Sequence, residues 1–381
     1  MSRLNELIQE LCPDGVEFKK IHDVAEVGTG CCNGNEAEDG GVYPFFVRSQ
    51  NVKAKNDFQY DEEAIIIPGE GGIGDIFHYV NGKYALHQRV YRIHFIDKTI
   101  NAKFIYYYMK SNFKSFILKK AVSATVTSIR KPMIEKFEIP IPPLDVQNEI
   151  VRILDTFTSH AAELQAELQA RKEQYDYYKQ FIFKSKISHY KNYLLKNIAS
   201  FSQGIQVNPS CQYNTMQPGR IRFLRIVDFV SDNEPYRYIE RPEDKYIKTE
   251  EELIMIRYGA SAAGKVFMCH TGAIANNMFK INLNSGILPK YVMYYLSQTS
   301  IYTLLNTSGG KSTMPAINFK LVGSINIPIP PLSEQQRIVS ILDKFEALVN
   351  DLTEGIPAEI AAVQEQYEYY RNKLLTFKQR A

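Results

Sequence analysis

"EIPIPPLDVQNEIVRILDTF" (residues 138–157) occurs twice in this chain, the second time as "NIPIPPLSEQQRIVSILDKF" (326–345), 188 residues later. Internal repeats are settled before local motifs, because they fix the architecture in which motifs are read. The match extends outward in both directions. Downstream, "EQYDYYKQFIF" (173–183) is answered by "EQYEYYRNKLL" (365–375), now 192 residues on. Upstream, "INAKFIYYYMKS" (100–111) is answered by "ILPKYVMYYLSQ" (287–298), and "ATVTSIRKPMIEKF" (124–137) by "STMPAINFKLVGSI" (312–325). "VAEVGTG" (24–30) pairs with "IASFSQG" (198–204), and "FFVRSQNV" (45–52) more loosely with "RFLRIVDF" (222–229). The chain is therefore two copies of one unit, each a variable portion followed by a similar helical one.

The similar portions read as long helices. Each starts after a Pro pair that excludes helix upstream, which predicts Asp145 and Ser333 as N-caps, with Ser333-x-x-Gln336 as a capping box. In the first helix Ile150, Leu154, Phe157, Ala161, Leu164, Leu168, Tyr175, Tyr178 and Ile182 follow a coiled-coil spacing broken at Arg171. In the second, a stutter at Ile356 accounts for the change of offset from 188 to 192, and Gly355 and Pro357 beside it predict a kink or short break. Forty helical residues span about 60 Å. Two such helices, packed antiparallel, hold two globular units apart with approximate two-fold symmetry. The variable portions carry short β-rich runs, with a hairpin expected at Asn81-Gly82 in "YVNGKYAL", and one helix each, around 101–119 and 288–305. The fold class expected is α+β (mixed α/β). The boundaries expected are 1–142 and 187–330 for the globular domains, with helices over 143–186 and 331–381.

Composition constrains function. The 381 residues are 45% hydrophobic and 23% charged, ordinary for a soluble protein, and no apolar run approaches the roughly 18–20 residues of a membrane span. The polar N-terminus "MSRLNELIQELCPDG" has no signal-peptide core, so a cytoplasmic location is expected. Five cysteines without C-x-x-C argue against a disulfide framework or a zinc site. Net charge is +3, so any nucleic-acid surface depends on local clustering.

Two stretches imitate nucleotide motifs. "AIIIPGEGGIGDIF" (64–77) satisfies G-x-G-x-x-G, but a hairpin-like run follows it, not the helix whose N-terminus binds phosphate. At the same repeat position, Gly259-x-x-x-x-Gly264-Lys265 imitates a P-loop with Val266 in place of Ser/Thr. Two different motifs at one repeat position, each in the wrong context, read as a shared strand–turn–strand. The Pro-Pro pairs lack the polar and aromatic neighbours of an adenine methyltransferase motif, and the seven histidines are scattered. No catalytic residues are assigned.

The duplicated "IPIPPL…Q…IV.ILD.F" followed by "EQYxYYR" or its variant resembles the specificity subunit of type I restriction-modification systems, over nearly the whole chain. The resemblance implies a non-enzymatic subunit. Each variable unit is then a target recognition domain reading one half of a split double-stranded DNA site. The helices set the spacer and dock two methyltransferase subunits, and restriction subunits join for cleavage. S-adenosylmethionine, ATP and Mg are implied for those partners, and no cofactor or metal for this chain. The tandem "AELQAELQ" (162–169) resembles the short helix repeats that set spacer length in some members. A stand-alone methyltransferase or nuclease, or a coiled-coil scaffold without DNA binding, is the alternative.

Groove readout needs donors and acceptors on loops, with Lys or Arg to phosphates. The first unit offers Arg48, Gln50, Asn51 and Lys53, then His87, Gln88 and Arg89, then Thr127, Ser128, Arg130 and Lys131. The second offers Arg225, Lys265, Asn276 and Asn277, then Lys311, Ser312, Thr313 and Asn318. Arg suits guanine and Asn or Gln adenine, so differing residues at matched positions fit two different half-sites. Tyr177, Tyr178, Tyr369 and Tyr370 are candidates for the methyltransferase interface, against the simpler reading that they pack the helices together.

Overall fold

The computed structural model describes residues 2–120, 128–187, 189–231, 234–259, 262–307, 316–350 and 355–380. Residues 1–164 with 360–381 form one compact unit, and 165–359 the other. Both cuts fall inside long helices, because each half-helix packs on its own globular part.

The first unit runs α1 (Ser2–Leu11), β1 (Glu17–Lys20), α2 (Ile21–Val24), β2 (Ala25–Thr29), β3 (Tyr43–Phe46), β4 (Lys53–Lys55), β5 (Tyr60–Pro68), β6 (His78–Leu86), β7 (Val90–Phe95), α3 (Ala102–Lys120), α4 (Lys131–Glu135) and β8 (Glu138–Ile141). Six strands form a sheet in the order β2-β7-β5-β6-β3-β4, and β1 pairs with β8. The apolar run of "AIIIPGEGGIGDIF" is the centre of this sheet: Ala64, Ile65, Ile66 and Ile67 are fully buried. Successive strand residues point to opposite faces. Ile65 and Ile67 therefore enter the main core under α3, while Ala64 and Ile66 pack with Phe46, Val80, Tyr84 and Leu86. A strand buried on both faces shows no alternation, which is why it reads as a plain apolar run.

The strand–turn–strand reading of "PGEGGIGD" holds, since β5 and β6 pair antiparallel across it. Gly71, Gly72 and Gly74 have φ of +76°, +70° and +72°, a region that side chains disfavour. The expected hairpin at Asn81-Gly82 is not formed. Both residues lie inside β6, opposite Glu63 and Glu62, and the turn into β7 is made by residues 87–89. Gly82, with φ +117°, sits just before the point where β6 leaves β5 to pair in parallel with β3. The Asn-Gly signal marks a bend in a strand that serves two partners.

The second unit repeats this plan with β9 (Asn192–Leu194), α6 (Leu195–Ile198), β10 (Ala199–Gln203), β11 (Arg220–Leu224), α7 (Val227–Val230), β12 (Arg237–Glu240), β13 (Ile247–Lys248), β14 (Leu253–Ile256), β15 (Val266–Met268), β16 (Gly272–Ile274) and β17 (Met278–Leu283). There follow α8 (Pro289–Leu296), α9 (Thr299–Thr307), α10 (Phe319–Gly323) and β18 (Asn326–Pro328). The sheet orders are β10-β17-β14-β15 and β12-β11-β16-β13, with β9 on β18. The counterpart of β6 is thus split into β15 and β16. The helix expected around 288–305 is also split, at Ser297 and Gln298, whose side chains bond the carbonyls of Tyr294 and Tyr295.

α5 (Leu144–Phe181) is unbroken, whereas the second long element is two helices, α11 (Leu332–Asn350) and α12 (Ile356–Leu374). The interruption falls where the stutter, Gly355 and Pro357 coincide. The expected caps are not used: the helices begin one residue earlier, and the Pro143 and Pro331 carbonyls accept the first amide bonds, from Val146 and Glu334. Asp145 and Ser333 lie in the first turn, so the Ser333–Gln336 box is not the start. Of the predicted seam, Ile150, Leu154 and Leu164 are buried. In the first unit Phe157 stacks on Tyr370 at 5.4 Å, and in the second Phe345, its repeat partner, stacks on Tyr178 at 5.6 Å.

Each long helix is latched to its unit by the same contacts. Buried Gln147 accepts from the Asn101 amide and donates to the carbonyls of Thr99 and Pro142, at 2.7–2.9 Å. Buried Gln335 does the same with Leu288, Gly286 and Pro330. Tyr107 and Lys103 meet Asp155, as Tyr294 and Lys290 meet Asp343. The C-terminal segment enters the first unit's core, where Leu374 and Leu375 are buried and Val16 exchanges backbone bonds with Lys378 and Arg380. Among the described residues, no helix is long and apolar enough to cross a membrane.

Candidate nucleic-acid interface

Three backbone hydrogen bonds gather the first unit's loops at one end of its sheet. The His87 amide donates to Phe46 O (3.0 Å), the Gly69 amide to Arg89 O (2.9 Å) and the Ile129 amide to Gly69 O (2.7 Å). Loops 47–53, 69–77, 87–89 and 128–131, far apart in sequence, therefore meet. At their junction is a cavity of about 360 Å³ lined by Arg48, Lys53, Glu70 and His87 with Gly34 and Gly71.

Glu70 sits between two arginines. Its carboxylate accepts from Arg48 Nη1 at 3.0 Å and from Arg89 Nη1 at 3.0 and 3.1 Å. Those bonds hold the Glu70 carboxyl below its ordinary pKa. His87 is 6% exposed, and its Nδ1 accepts from the Arg89 amide at 3.0 Å. Burial, followed by the Arg48 and Arg89 charges, pushes its pKa down. The imidazole is therefore neutral at pH 7, with the proton on Nε2. Lys53 Nζ donates to Gly34 O, and Gln88 to Asn33 Oδ1.

The sequence candidates Arg48, Lys53, His87, Gln88 and Arg89 are thus brought together. Gln50 is not among them; it lines a separate depression with Phe46, His78 and Tyr106. Asn51 is exposed beside them, with its carbonyl accepting from Ser49. Ser128 is half-buried, while Arg130 and Lys131 are exposed at the start of α4, Lys131 beside Glu135 at 3.5 Å. Sequence reasoning missed Glu70. Its only signal in the sequence is a lone carboxylate in a glycine turn, "PGEGG".

The second unit has the same frame. The Ala275 amide donates to Leu224 O, the Arg257 amide to Asn277 O and the Ile317 amide to Arg257 O. Asn276 and Asn277 therefore occupy the places of Gln88 and Arg89. The loose alignment of 45–52 with 222–229 is out by one residue, since Phe45 matches Phe223 in the parallel register. Arg225 consequently stands where Val47 does, not Arg48. It is turned onto buried Asp228 (3.3 Å) and onto Glu234 (2.9 Å). Asn318 caps α10, accepting from the Leu321 amide at 2.8 Å. Lys265 is exposed just before β15. Asn277 Oδ1 and Arg257 Nε are buried with no hydrogen-bond partner among the described residues. Asn276 lies near Gln206 at 3.5 Å. Thr127, Lys311, Ser312 and Thr313 lie outside the described residues.

A family model described as the type I restriction modification DNA specificity domain matches residues 13–174 and again 188–362. The chain belongs to this type I DNA specificity family. One family domain falls in each repeat. The Escherichia coli EcoR124I/EcoR124II specificity subunit is 33% identical over 267 residues, 64% of this chain and 63% of that protein. The alignment thus spans less than two thirds of that relative. A putative type I specificity subunit of Haemophilus influenzae is 28% identical across 95% of this chain and 96% of its own length. In fold, the chain is similar to the S subunit of a type I system from M. genitalium, with a TM-score of 0.58, 15% identity and coverage of 94% and 96%. A chain from a structural study of type I R-M complex assembly and conformational transition gives a TM-score of 0.63, 14% identity and coverage of 95% and 98%.

Of the four candidate interface tyrosines, Tyr178 and Tyr370 make the stacks described above. Tyr177 and Tyr369 are 65% and 61% exposed.

Proposed function

We propose that this specificity-family chain is a non-catalytic DNA-reading subunit. Each unit reads one half of a bipartite double-stranded site, and partner subunits carry out methylation and cleavage. The observation that carries this reading is one backbone frame presenting two sets of side chains: Gln88 and Arg89 in one unit, Asn276 and Asn277 in the other. A duplicated scaffold kept constant while its groove-reading residues differ suits two different half-sites. The methyltransferase partners bind S-adenosylmethionine and flip the target adenine out of the stack. The restriction subunits use ATP and Mg. Exposed Tyr177 and Tyr369 on the long helices supply contacts for the methyltransferases.

The test is co-expression with the methyltransferase partner and mapping of methylated adenines. The expected result is one split motif, with no methylation when the chain is incubated alone with S-adenosylmethionine and DNA. Activity of the isolated chain would overturn the reading in favour of a stand-alone enzyme. A complex that methylates without sequence preference would favour a scaffold.

A further inference from the structure

Within that DNA-reading role, we infer that Arg48, Glu70 and Arg89 form a guanine-reading element for the first half-site, in which Glu70 positions the two arginines. Both guanidinium groups converge on one carboxylate through a single Nη each. Each keeps its remaining donors without a partner among the described residues. A guanidinium edge matches the O6 and N7 acceptors of guanine, the commonest specific contact in the major groove. The side chains are reachable, with Arg48 49% and Arg89 57% exposed.

The carboxylate argues for a base against a phosphate. A phosphate entering between the arginines would meet the Glu70 charge, whereas the guanine edge is neutral and carries only acceptors. Glu70 also fixes two long side chains, so less conformational freedom is lost on binding. Glycine at 71 keeps the rim low: a Cβ there would lie 3.0 Å from the Arg48 carbonyl, at φ +76°.

The second unit supplies the contrast. The places of Arg48, Glu70 and Arg89 are taken by Ile226, Tyr258 and Asn277, as the shared backbone bonds and strand register require. No Arg–Glu couple exists at that position, and Asn277, whose Oδ1 is buried, offers no guanidinium edge. The element is thus a property of one half-site, not of the scaffold.

The experiment uses the assembled complex with its methyltransferase partner acting on a library of randomised sites. Arg48→Ala and Arg89→Ala should each relax a G·C position in one half-site, with about a ten- to hundred-fold loss of preference, and leave the other half-site unchanged. Arg89→Lys should not restore the preference, because an ammonium has no fork. Glu70→Gln should weaken the preference at the same position and raise affinity for non-specific DNA, as the arginines become available to phosphate. A purely structural Glu70 would change melting temperature and leave the motif intact, which overturns its assigned role. Relaxation at an A·T position, or a uniform fall across all positions, would overturn the inference. A wild-type complex that methylates no split motif would instead refute the DNA-reading role beneath it.

Discussion

Replacing Gln147 by Leu should destabilise the first unit by about 3 kcal/mol. The side chain is fully buried and bridges three backbone groups: the Asn101 amide, and the carbonyls of Thr99 and Pro142. Leucine nearly preserves volume and adds apolar surface but leaves those groups without this partner. A buried group stranded in this way costs about 1–3 kcal/mol, and a partly buried one loses about 0.5–1.5 kcal/mol. The gain in apolar contact offsets part of the sum. For a unit of this size, 3 kcal/mol corresponds to a fall of about 6–12 °C in Tm. Unfolding can be followed by far-UV circular dichroism and by tyrosine fluorescence, since the chain has 25 Tyr and no Trp. The repeat supplies its own replicate. Gln335→Leu removes the equivalent bonds to Leu288, Gly286 and Pro330 and should cost a similar amount in the second unit. The two residues share no partner, so the double variant should be additive. A loss below about 1 kcal/mol in both single variants would refute the latch, because the freed groups would then have found other partners.

Gly30→Ala should cost at least about 3 kcal/mol, because its Cβ would lie 1.8 Å from the Leu86 carbonyl oxygen. Gly204→Ala, 2.2 Å from the Ala275 oxygen, should behave likewise; protease resistance of each unit reports the loss. Burial lowers the pKa of His78 and His87 below the ordinary 6.5. The unfolded chain therefore binds more protons between the folded value and 6.5, and this stability is full above about pH 6.5 and lost as the pH falls. A His78→Gln/His87→Gln variant should flatten the urea midpoint between pH 7.5 and 5.0, and an unchanged slope would contradict the assignment. Inserting a further AELQ after residue 169 adds about 6 Å of helix to α5 and should lengthen the spacer in the mapped methylation motif; an unchanged motif would rule out the ruler.

Much of the architecture was legible because it rests on local periodicity. The repeat fixed two similar units, the 3.5-residue spacing found α5, and the stutter beside Gly355 and Pro357 located the interruption before α12. The errors share one cause. Asn81-Gly82 carries a strong turn signal, but pairing with β5 from His78 to Tyr84 overrides it. Asp145 and Ser333 are good capping residues, but the preceding prolines had already supplied the first acceptor carbonyls. Arg225 reads as a groove donor, yet a buried carboxylate three residues on, Asp228, holds its side chain.

The sequence by itself determined that there are two copies, that each ends in a long helix, and that the copies differ where loops would touch a ligand. Those features depend on residue type and spacing along one segment. Only the tertiary structure decided which loops share a site and in what register. Residues 48, 70 and 89 meet because three long-range backbone bonds fold their loops together. Glu70 becomes the centre of that site because of what lies opposite it, not because of its neighbours in sequence.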